Sequence, residues 1–204
     1  MTRECFPAAG PWRSLQPPEA AALLTGLIRP WWVAGGWALD LFIGRESRPH
    51  RDLDIGILRR DASQVIAALP GLRFFEARHG TLSGPLTGAP GADVNSLWGR
   101  ALGRDEWVLE LMLDECDGDH WVYRRARSIR RPLARAVRRD AQGIPYLAPE
   151  IQLLYKAGRI RDQDRADFER VVPLLGDEAR AWLRAALATT DPAHPWLAAL
   201  PGPS

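Results

Sequence analysis

The stretch WWVAGGWALDLFIGRESRPHRDLDI, residues 31–55, decides the fold of this 204-residue chain. Near its end, a single residue separates Asp52 from Asp54, and residues at i and i+2 on an extended strand point to the same side. Leu53 and Ile55 then face the opposite side, into a core. Two carboxylates this close repel each other unless a cation lies between them. Because Mg²⁺ is bound by carboxylate oxygens and also contacts substrate phosphates, the pair predicts a magnesium site.

A pair of glycines precedes the two carboxylates. Gly35 and Gly36 follow the apolar run 31–34, which predicts a short buried strand, and a helix is predicted over residues 37–43. Backbone without side chains can approach a phosphate group closely and direct N–H groups at it. A phosphate-binding turn beside a metal-binding carboxylate pair indicates a site for nucleotidyl transfer.

Glu110 is the third candidate acid, because it lies in the middle of the apolar run 107–113, which predicts a strand. A lone carboxylate in the middle of a buried strand is costly unless it is paired or metal-bound. We therefore expect Glu110 to complete the metal site or to deprotonate an acceptor hydroxyl. The alternative is an edge strand on which Glu110 faces solvent or an arginine. Asp114 is a weaker candidate, because exposed carboxylates are common at strand ends.

The loop over residues 45–50 supplies candidate nucleotide-binding groups, since loops carried on a rigid strand often hold binding residues. Arg48 could brace a triphosphate with two hydrogen bonds, and His50 could help to hold it. A solvated loop charge is the alternative for each of them, and for Arg45. Asp40 lies near the C-terminal end of the preceding helix, where the helix dipole disfavours a carboxylate. It is predicted to be structural and to pair with a loop arginine.

Lys156 is the only lysine among the 27 lysines and arginines of the chain. It lies on a helix predicted over residues 150–160, displaced from the apolar stripe, so it could reach across a cleft and neutralise the charge of the β- and γ-phosphates. A position that requires a compact ammonium group rather than a planar guanidinium would explain the lysine. The alternative is a surface lysine that pairs with an acid such as Asp162.

Composition limits the class of protein. Charged residues make up 25% and hydrophobic residues 46% of the chain, which is typical of a soluble globular protein. No apolar run reaches the roughly 18 residues of a membrane helix, and no secretory signal is evident, so we expect a cytoplasmic protein without membrane contact. Cys5 and Cys116 provide neither a disulfide framework nor a zinc set. The net charge of +2 gives no argument for a nucleic-acid partner.

The order of the predicted elements divides the chain into four parts. A loosely ordered lead-in over residues 1–18 precedes an α+β domain with a mixed sheet and flanking helices over residues 19–145. A small helical lobe follows over residues 146–190. The proline-containing residues 191–204 are predicted to form a flexible tail.

The set Gly35-Gly36-Trp37 and Asp52-Leu53-Asp54 closely resembles the antibiotic nucleotidyltransferases. These are the aminoglycoside and lincosamide adenylyltransferases of the DNA-polymerase-beta-like superfamily. Residues 146–168 resemble the helical half of the same group, so the similarity covers most of residues 30–175. The resemblance implies a polymerase-beta-like fold, two Mg²⁺ ions on Asp52 and Asp54, and a triphosphate at the glycines. It also implies that Glu110 occupies the position of the family's third acid.

The predicted activity is magnesium-dependent transfer of a nucleoside monophosphate, expected to be AMP from ATP, onto a hydroxyl of a small molecule. An aminoglycoside-type antibiotic is one candidate acceptor. Its pocket would be lined by acids, and the available ones are Asp93, Glu106, Asp114, Glu115 and Asp117.

Two alternatives stay open. The chain could be a toxin–antitoxin-type nucleotidyltransferase that acts on protein or tRNA, in which case the basic cluster 124–131 would contact phosphates. It could also be a catalytically silent nucleotide-binding module. Nine tryptophans favour an apolar interface and leave oligomerisation open.

Overall fold

The computed structural model describes residues 4–200 of the chain. The strands of this part are β1 (Glu4–Pro7), β2 (Trp31–Val33), β3 (Asp54–Leu58), β4 (Leu72–Arg78), β5 (Thr81–Gly84), β6 (Ser96–Ala101), β7 (Trp107–Asp117), β8 (His120–Val122), β9 (Arg130–Pro132), β10 (Val137–Arg139) and β11 (Pro145–Leu147). The α-helices are α1 (Pro17–Leu23), α2 (Gly35–Ile43), α3 (Ala62–Ala67), α4 (Leu133–Ala136), α5 (Pro149–Ala157), α6 (Asp162–Val171) and α7 (Asp177–Thr190).

One mixed sheet organises the molecule. Its strand order is β1-β5-β4-β6-β7-β3-β2-β11-β10, with β8 paired to β7 and β9 to β8. The β3–β7 and β11–β2 pairs are parallel, and β3 pairs antiparallel with β2. The predicted α+β fold class with a mixed sheet is therefore confirmed. Because β7 has a neighbour on each side, the central position predicted for the strand of Glu110 is also confirmed, and the edge-strand alternative is wrong.

The unit β2–α2–β3 follows the sequence pattern closely. Helix α2 begins at Gly35, two residues earlier than predicted, and ends at Gly44, whose φ of +83° is the left-handed conformation that glycine favours at a helix C-terminus. Strand β3 begins at Asp54, so Asp52 lies just before it. Leu53 and Ile55 are fully buried, as the predicted alternation requires.

The parallel register of β3 and β7 places an acid of each strand side by side. Asp54 is opposite Glu110, and Asp114 lies four residues further along β7, opposite Leu58. Residues 110, 112 and 114 alternate onto one face of β7. The sheet therefore brings the predicted third acid next to the predicted metal-binding pair.

A helical lobe formed by α5, α6 and α7 follows the sheet, and ion pairs of Arg131 join the two parts. Arg131 of β9 lies 2.6 Å from Glu150 of α5 and 2.9 Å from Glu178 of α7. Arg131 and Glu150 are both almost fully buried. Such pairs hold the lobe in one position because removal of either partner would leave an uncompensated buried charge.

The two ends of the chain differ from their predictions. Within the predicted lead-in, β1 pairs antiparallel with β5. Trp12 packs edge-to-face on Trp98 at 4.8 Å, and Phe6 likewise on Phe75 at 5.7 Å. Burial of these aromatic rings provides the free energy that orders the segment. Residues 1–3 lie outside the described part.

The predicted flexible tail is ordered up to residue 200. Pro195–Ala199 form a 3₁₀ turn, and Trp196 stacks on Phe168 of α6 with the ring centroids 4.1 Å apart. Leu200 is fully buried. Residues 201–204 lie outside the described part. Among residues 4–200, no helix has the length and apolar character needed to cross a membrane.

Candidate active site

The glycine pair forms the first turn of α2 and lies against three functional side chains. Gly35 has φ +65°, and a Cβ atom there would overlap the Asp54 carboxylate. A Cβ on Gly36 would overlap Arg48 and His50. The Gly35 N–H donates to Gln152 Oε1 at 2.8 Å, which fixes the turn to helix α5. Glycine is therefore required at both positions for close approach, and the N-terminus of α2 is available to an anion.

The two aspartates differ in their surroundings. Within the described residues, the Asp54 side chain makes no hydrogen bond or ion pair, whereas Asp52 lies 3.6 Å from the exposed Arg51. Burial, followed by the charges of Glu110 and Asp52, raises the pKa of Asp54 well above its usual value. A half-buried carboxylate that is repelled by two others and lacks a partner has the electrostatic character of a cation ligand.

Glu110, the predicted third acid, is hydrogen-bonded within the sheet. Its side chain accepts hydrogen bonds from Ser96 and Trp98, while burial raises its pKa. Across residues 4–200, no three His, Cys, Asp or Glu side chains converge into a metal-binding group. A pair of carboxylates is still sufficient for Mg²⁺, which typically takes one or two protein carboxylates together with substrate phosphates. The donor set present thus fits Asp52 and Asp54 as ligands, with Glu110 beside them.

The predicted loop residues separate into two groups. Arg48 and His50 lie over the glycine turn, whereas Arg45 is exposed. Arg48 pairs with Asp167 of α6 at 3.3 Å. The prediction that Asp40 pairs with a loop arginine is wrong, because the Asp40 carboxylate lies 2.6 Å from His50 Nε2.

Lys156 is buried between two carboxylates of α6. Its Nζ atom is 2.8 Å from Asp164 and 3.0 Å from Asp167. The alternative of a surface lysine paired with Asp162 is therefore wrong. Lys156 also lowers the pKa of Asp54, so its charge acts on the carboxylate site.

A cleft of about 650 Å³ between the sheet and the helical lobe brings these groups together. Seven of the eight predicted site residues line it, namely Gly35, Gly36, Arg48, His50, Asp52, Asp54 and Lys156. The eighth, Glu110, lies next to Asp54 in the sheet register. Five arginines that the sequence pattern did not assign to this site also line the cleft: Arg51, Arg124, Arg125, Arg159 and Arg161.

The basic cluster 124–131 does not form one continuous surface. Arg124 and Arg125 line the cleft, Arg130 pairs with Asp117, and Arg131 is buried against Glu150. The cluster's charges are therefore divided among a cleft, a surface ion pair and an internal one. This arrangement gives no support to the predicted contact of the whole cluster with RNA phosphates.

The prediction that Asp114 is an exposed acid at a strand end is wrong. It is 5% exposed, lines the cleft and accepts a hydrogen bond from the Tyr155 hydroxyl at 2.8 Å. Of the other candidate acceptor-site acids, Asp93, Glu115 and Asp117 pair with Arg78, Arg59 and Arg130 respectively. Burial raises the pKa of Asp114 to about 6, and the hydrogen bond from Tyr155 limits the increase.

The pKa of Asp114 predicts a specific pH dependence of stability. A raised folded-state pKa favours the native protein below the unfolded value of 3.8, and that stability is lost as the pH rises through about 6. The loss amounts to about 3 kcal/mol, from about 1.4 kcal/mol per pH unit. Asp114→Asn should therefore gain stability relative to the parent between pH 4 and 6, with a constant difference above pH 7, in urea unfolding. An equal pH profile for both proteins would contradict the assignment. Tyr155→Phe removes a hydrogen bond that lowers the pKa of Asp114, so the loss of stability should extend to higher pH in that variant.

One family model matches part of the chain. Residues 19–81, which contain the glycine turn and both aspartates, match the family model of aminoglycoside-2''-adenylyltransferase. Among curated proteins, no sequence matches significantly.

Solved structures share the fold over most of the chain. LnuA, a lincosamide antibiotic adenylyltransferase with lincomycin bound, matches with a TM-score of 0.53 and 18% identity over 77% of this chain and 94% of its own. The solution structure of the antibiotic-resistance factor ANT(2'')-Ia matches with a TM-score of 0.57 and 19% identity, over 86% of this chain and 91% of its own. Its complex with adenylyl-2''-tobramycin matches with a TM-score of 0.53 and 14% identity, over 83% and 93%.

These identities are low, so the structural likenesses establish the fold. Together with the family match over residues 19–81, they confirm the predicted resemblance to the antibiotic nucleotidyltransferases.

Proposed function

We propose that this chain transfers AMP from ATP onto a hydroxyl group of an antibiotic of the aminoglycoside or lincosamide type. The observation that carries the proposal is the unpaired Asp54 carboxylate, which lies directly against the Gly35 turn at the start of α2. A helix N-terminus binds phosphate, and an adjacent acid without a partner suits the cation that accompanies ATP. The matched family and structures support the antibiotic acceptor.

The side chains of the cleft have separate roles in this reaction. Arg48 and Lys156 would bind the triphosphate, whose negative charge also suits the five additional arginines of the cleft. Asp52 and Asp54 would hold Mg²⁺, and metal ions at such sites neutralise charge on the attacking and leaving oxygens. The number of ions expected is two, as in the sequence prediction.

Glu110 is suited to accept the proton of the acceptor. The hydroxyl oxygen would form a bond to the α-phosphorus while the bond to the β-phosphate oxygen breaks and pyrophosphate leaves. The hydroxyl proton would pass to Glu110, whose pKa is raised by burial. A base with a raised pKa takes up a proton more readily at neutral pH.

Incubation with ATP labelled at the α-phosphate tests the proposal. The protein is combined with MgCl₂ and, in parallel, tobramycin, lincomycin, tRNA or cell extract, and products are identified by mass spectrometry. We expect a drug that has gained one AMP unit and release of pyrophosphate. Label in tRNA or protein alone would instead support the toxin–antitoxin alternative, and no labelled product at all would support a silent module.

A further inference from the structure

Asp40 occupies an enclosed position behind the nucleotide site. It lies one turn after Gly36 on α2, and its side chain is 4% exposed. Its carboxylate accepts hydrogen bonds from the Ser47 N–H at 3.0 Å and the Ser47 hydroxyl at 2.5 Å. The third partner is His50 Nε2 at 2.6 Å. Burial opposes ionisation, but the hydrogen bonds from His50 and Ser47 outweigh it and lower the pKa of Asp40, so the carboxylate is charged.

The neighbours of His50 determine which of its nitrogens carries the proton. Arg48 Nη1 lies 3.1 Å from His50 Nδ1, and a guanidinium can only donate. Nδ1 must therefore accept, which leaves the proton on Nε2, where it is donated to Asp40. The Trp37 ring packs on the His50 imidazole, with the ring centroids 4.2 Å apart, and restricts rotation of the imidazole. This neutral tautomer alone satisfies both neighbours.

Arg48 is held from two sides as a result. Its Nε and Nη2 atoms each lie 3.3 Å from the Asp167 carboxylate, and Nη1 contacts His50. The guanidinium fixed in this way lies where a Cβ on Gly36 would be, directly over the glycine turn. Loss of the His50 contact would leave Arg48 attached only to the helical lobe and to the adjacent Pro49 carbonyl.

We infer that Asp40 is a positioning residue of the nucleotide site, which fixes the His50 imidazole and through it aims Arg48 at the glycine turn. The inference rests on the proposed function for the identity of the ligand, ATP. The Asp40 side chain does not line the cleft, so its effect on a bound nucleotide must be transmitted through His50, which contacts Arg48. A residue that only anchored the 45–47 loop would act through Ser47 instead.

Asp40→Asn and Ser47→Ala separate these two roles. An asparagine is uncharged and has one acceptor oxygen for the three donors, so the hydrogen bond that it offers His50 Nε2 is weaker than that of the carboxylate, whereas Ser47→Ala keeps the contact between the Asp40 carboxylate and His50. Long-range ¹⁵N–¹H NMR of the nucleotide-free full chain reports the tautomer, with His50 assigned from the His50→Gln spectrum. We expect the Nε2–H form in the parent and in Ser47→Ala, and a mixture of tautomers in Asp40→Asn.

MgATP affinity, measured by calorimetry, is the second readout. Asp40→Asn is expected to bind about tenfold more weakly than the parent, and Ser47→Ala within twofold of it. A proton on Nδ1 in the parent, or equal tautomer and affinity in the two variants, would overturn the inference. If the parent itself does not bind MgATP, the proposed function fails, and the tautomer comparison still decides whether Asp40 orients His50.

A second pair of variants covers the case in which Asp40→Asn does not fold. The amide of His50→Gln offers one donor and one acceptor, so it can bridge Asp40 and Arg48, whereas His50→Leu cannot. His50→Gln should lose several-fold less MgATP affinity than His50→Leu. Equal losses in the two variants would contradict a role for the bridge.

Discussion

Replacement of Asp54 by asparagine should abolish nucleotidyl transfer without lowering the thermal stability of the protein. Loss of a metal ligand removes about 4 kcal/mol of transition-state stabilisation, which corresponds to about a 10³-fold loss in kcat/KM. The stability should be preserved or increased, because burial and the charges of Glu110 and Asp52 oppose ionisation of Asp54 in the folded protein. A neutral amide removes that repulsion. Turnover is measured with α-labelled ATP, and unfolding temperature at pH 8 by differential scanning fluorimetry.

The response to magnesium provides a readout that does not depend on turnover. A ligand that binds only the folded protein raises the unfolding temperature with its concentration. MgCl₂ together with ATP should therefore stabilise the parent more than Asp54→Asn. Asp61→Asn is a matched control, because Asp61 is also a buried acid but pairs with Arg29 and does not line the cleft. Magnesium-dependent turnover in Asp54→Asn at the parent rate would refute the metal assignment.

The elements that the sequence predicts best are those determined by short-range pattern. The run 31–58 specifies strand, glycine turn, helix and strand from residues that are close in the chain, and the structure differs only in where α2 and β3 begin. The apolar run 107–113 likewise predicts a central strand, because a strand with neighbours on both sides is the position that suits six apolar residues in seven.

What the sequence does not predict depends on contacts between distant residues. Gln152 is 117 residues from Gly35, and only the packing of α5 against α2 shows that its amide fixes the glycine turn. A polar amide inside the apolar helix run 151–154 is the one local signal for it. Asp114 and Tyr155 are 41 residues apart, so the burial of Asp114 could not be foreseen from a strand end. The cluster 124–131 was recognised as basic, but its division between cleft and interior follows from the fold.

Lys156→Met should cause the largest loss of stability among the cleft variants. Lys156 is the cation between Asp164 and Asp167, and all three side chains are nearly inaccessible to solvent. Removing one partner of a buried ion pair typically costs about 3–5 kcal/mol, because the remaining charges are left uncompensated. Arg48 and Arg161 contact the same two carboxylates from other sides and should keep the loss near the lower end. Urea unfolding at pH 7 measures the free energy.

A double variant shows whether charge or packing accounts for the stability that Lys156 provides. Asp164→Asn removes one of the two carboxylates, so the double variant with Lys156→Met should recover part of the stability that Lys156→Met alone loses. Lys156→Arg should also be destabilised, because Arg161 Nε already lies 2.7 Å from Asp164 and Arg48 already contacts Asp167 on both oxygens. The remaining space between the two carboxylates suits a compact ammonium group and not a planar guanidinium group. A Lys156→Arg variant as stable as the parent would show instead that this lysine is not required for its shape.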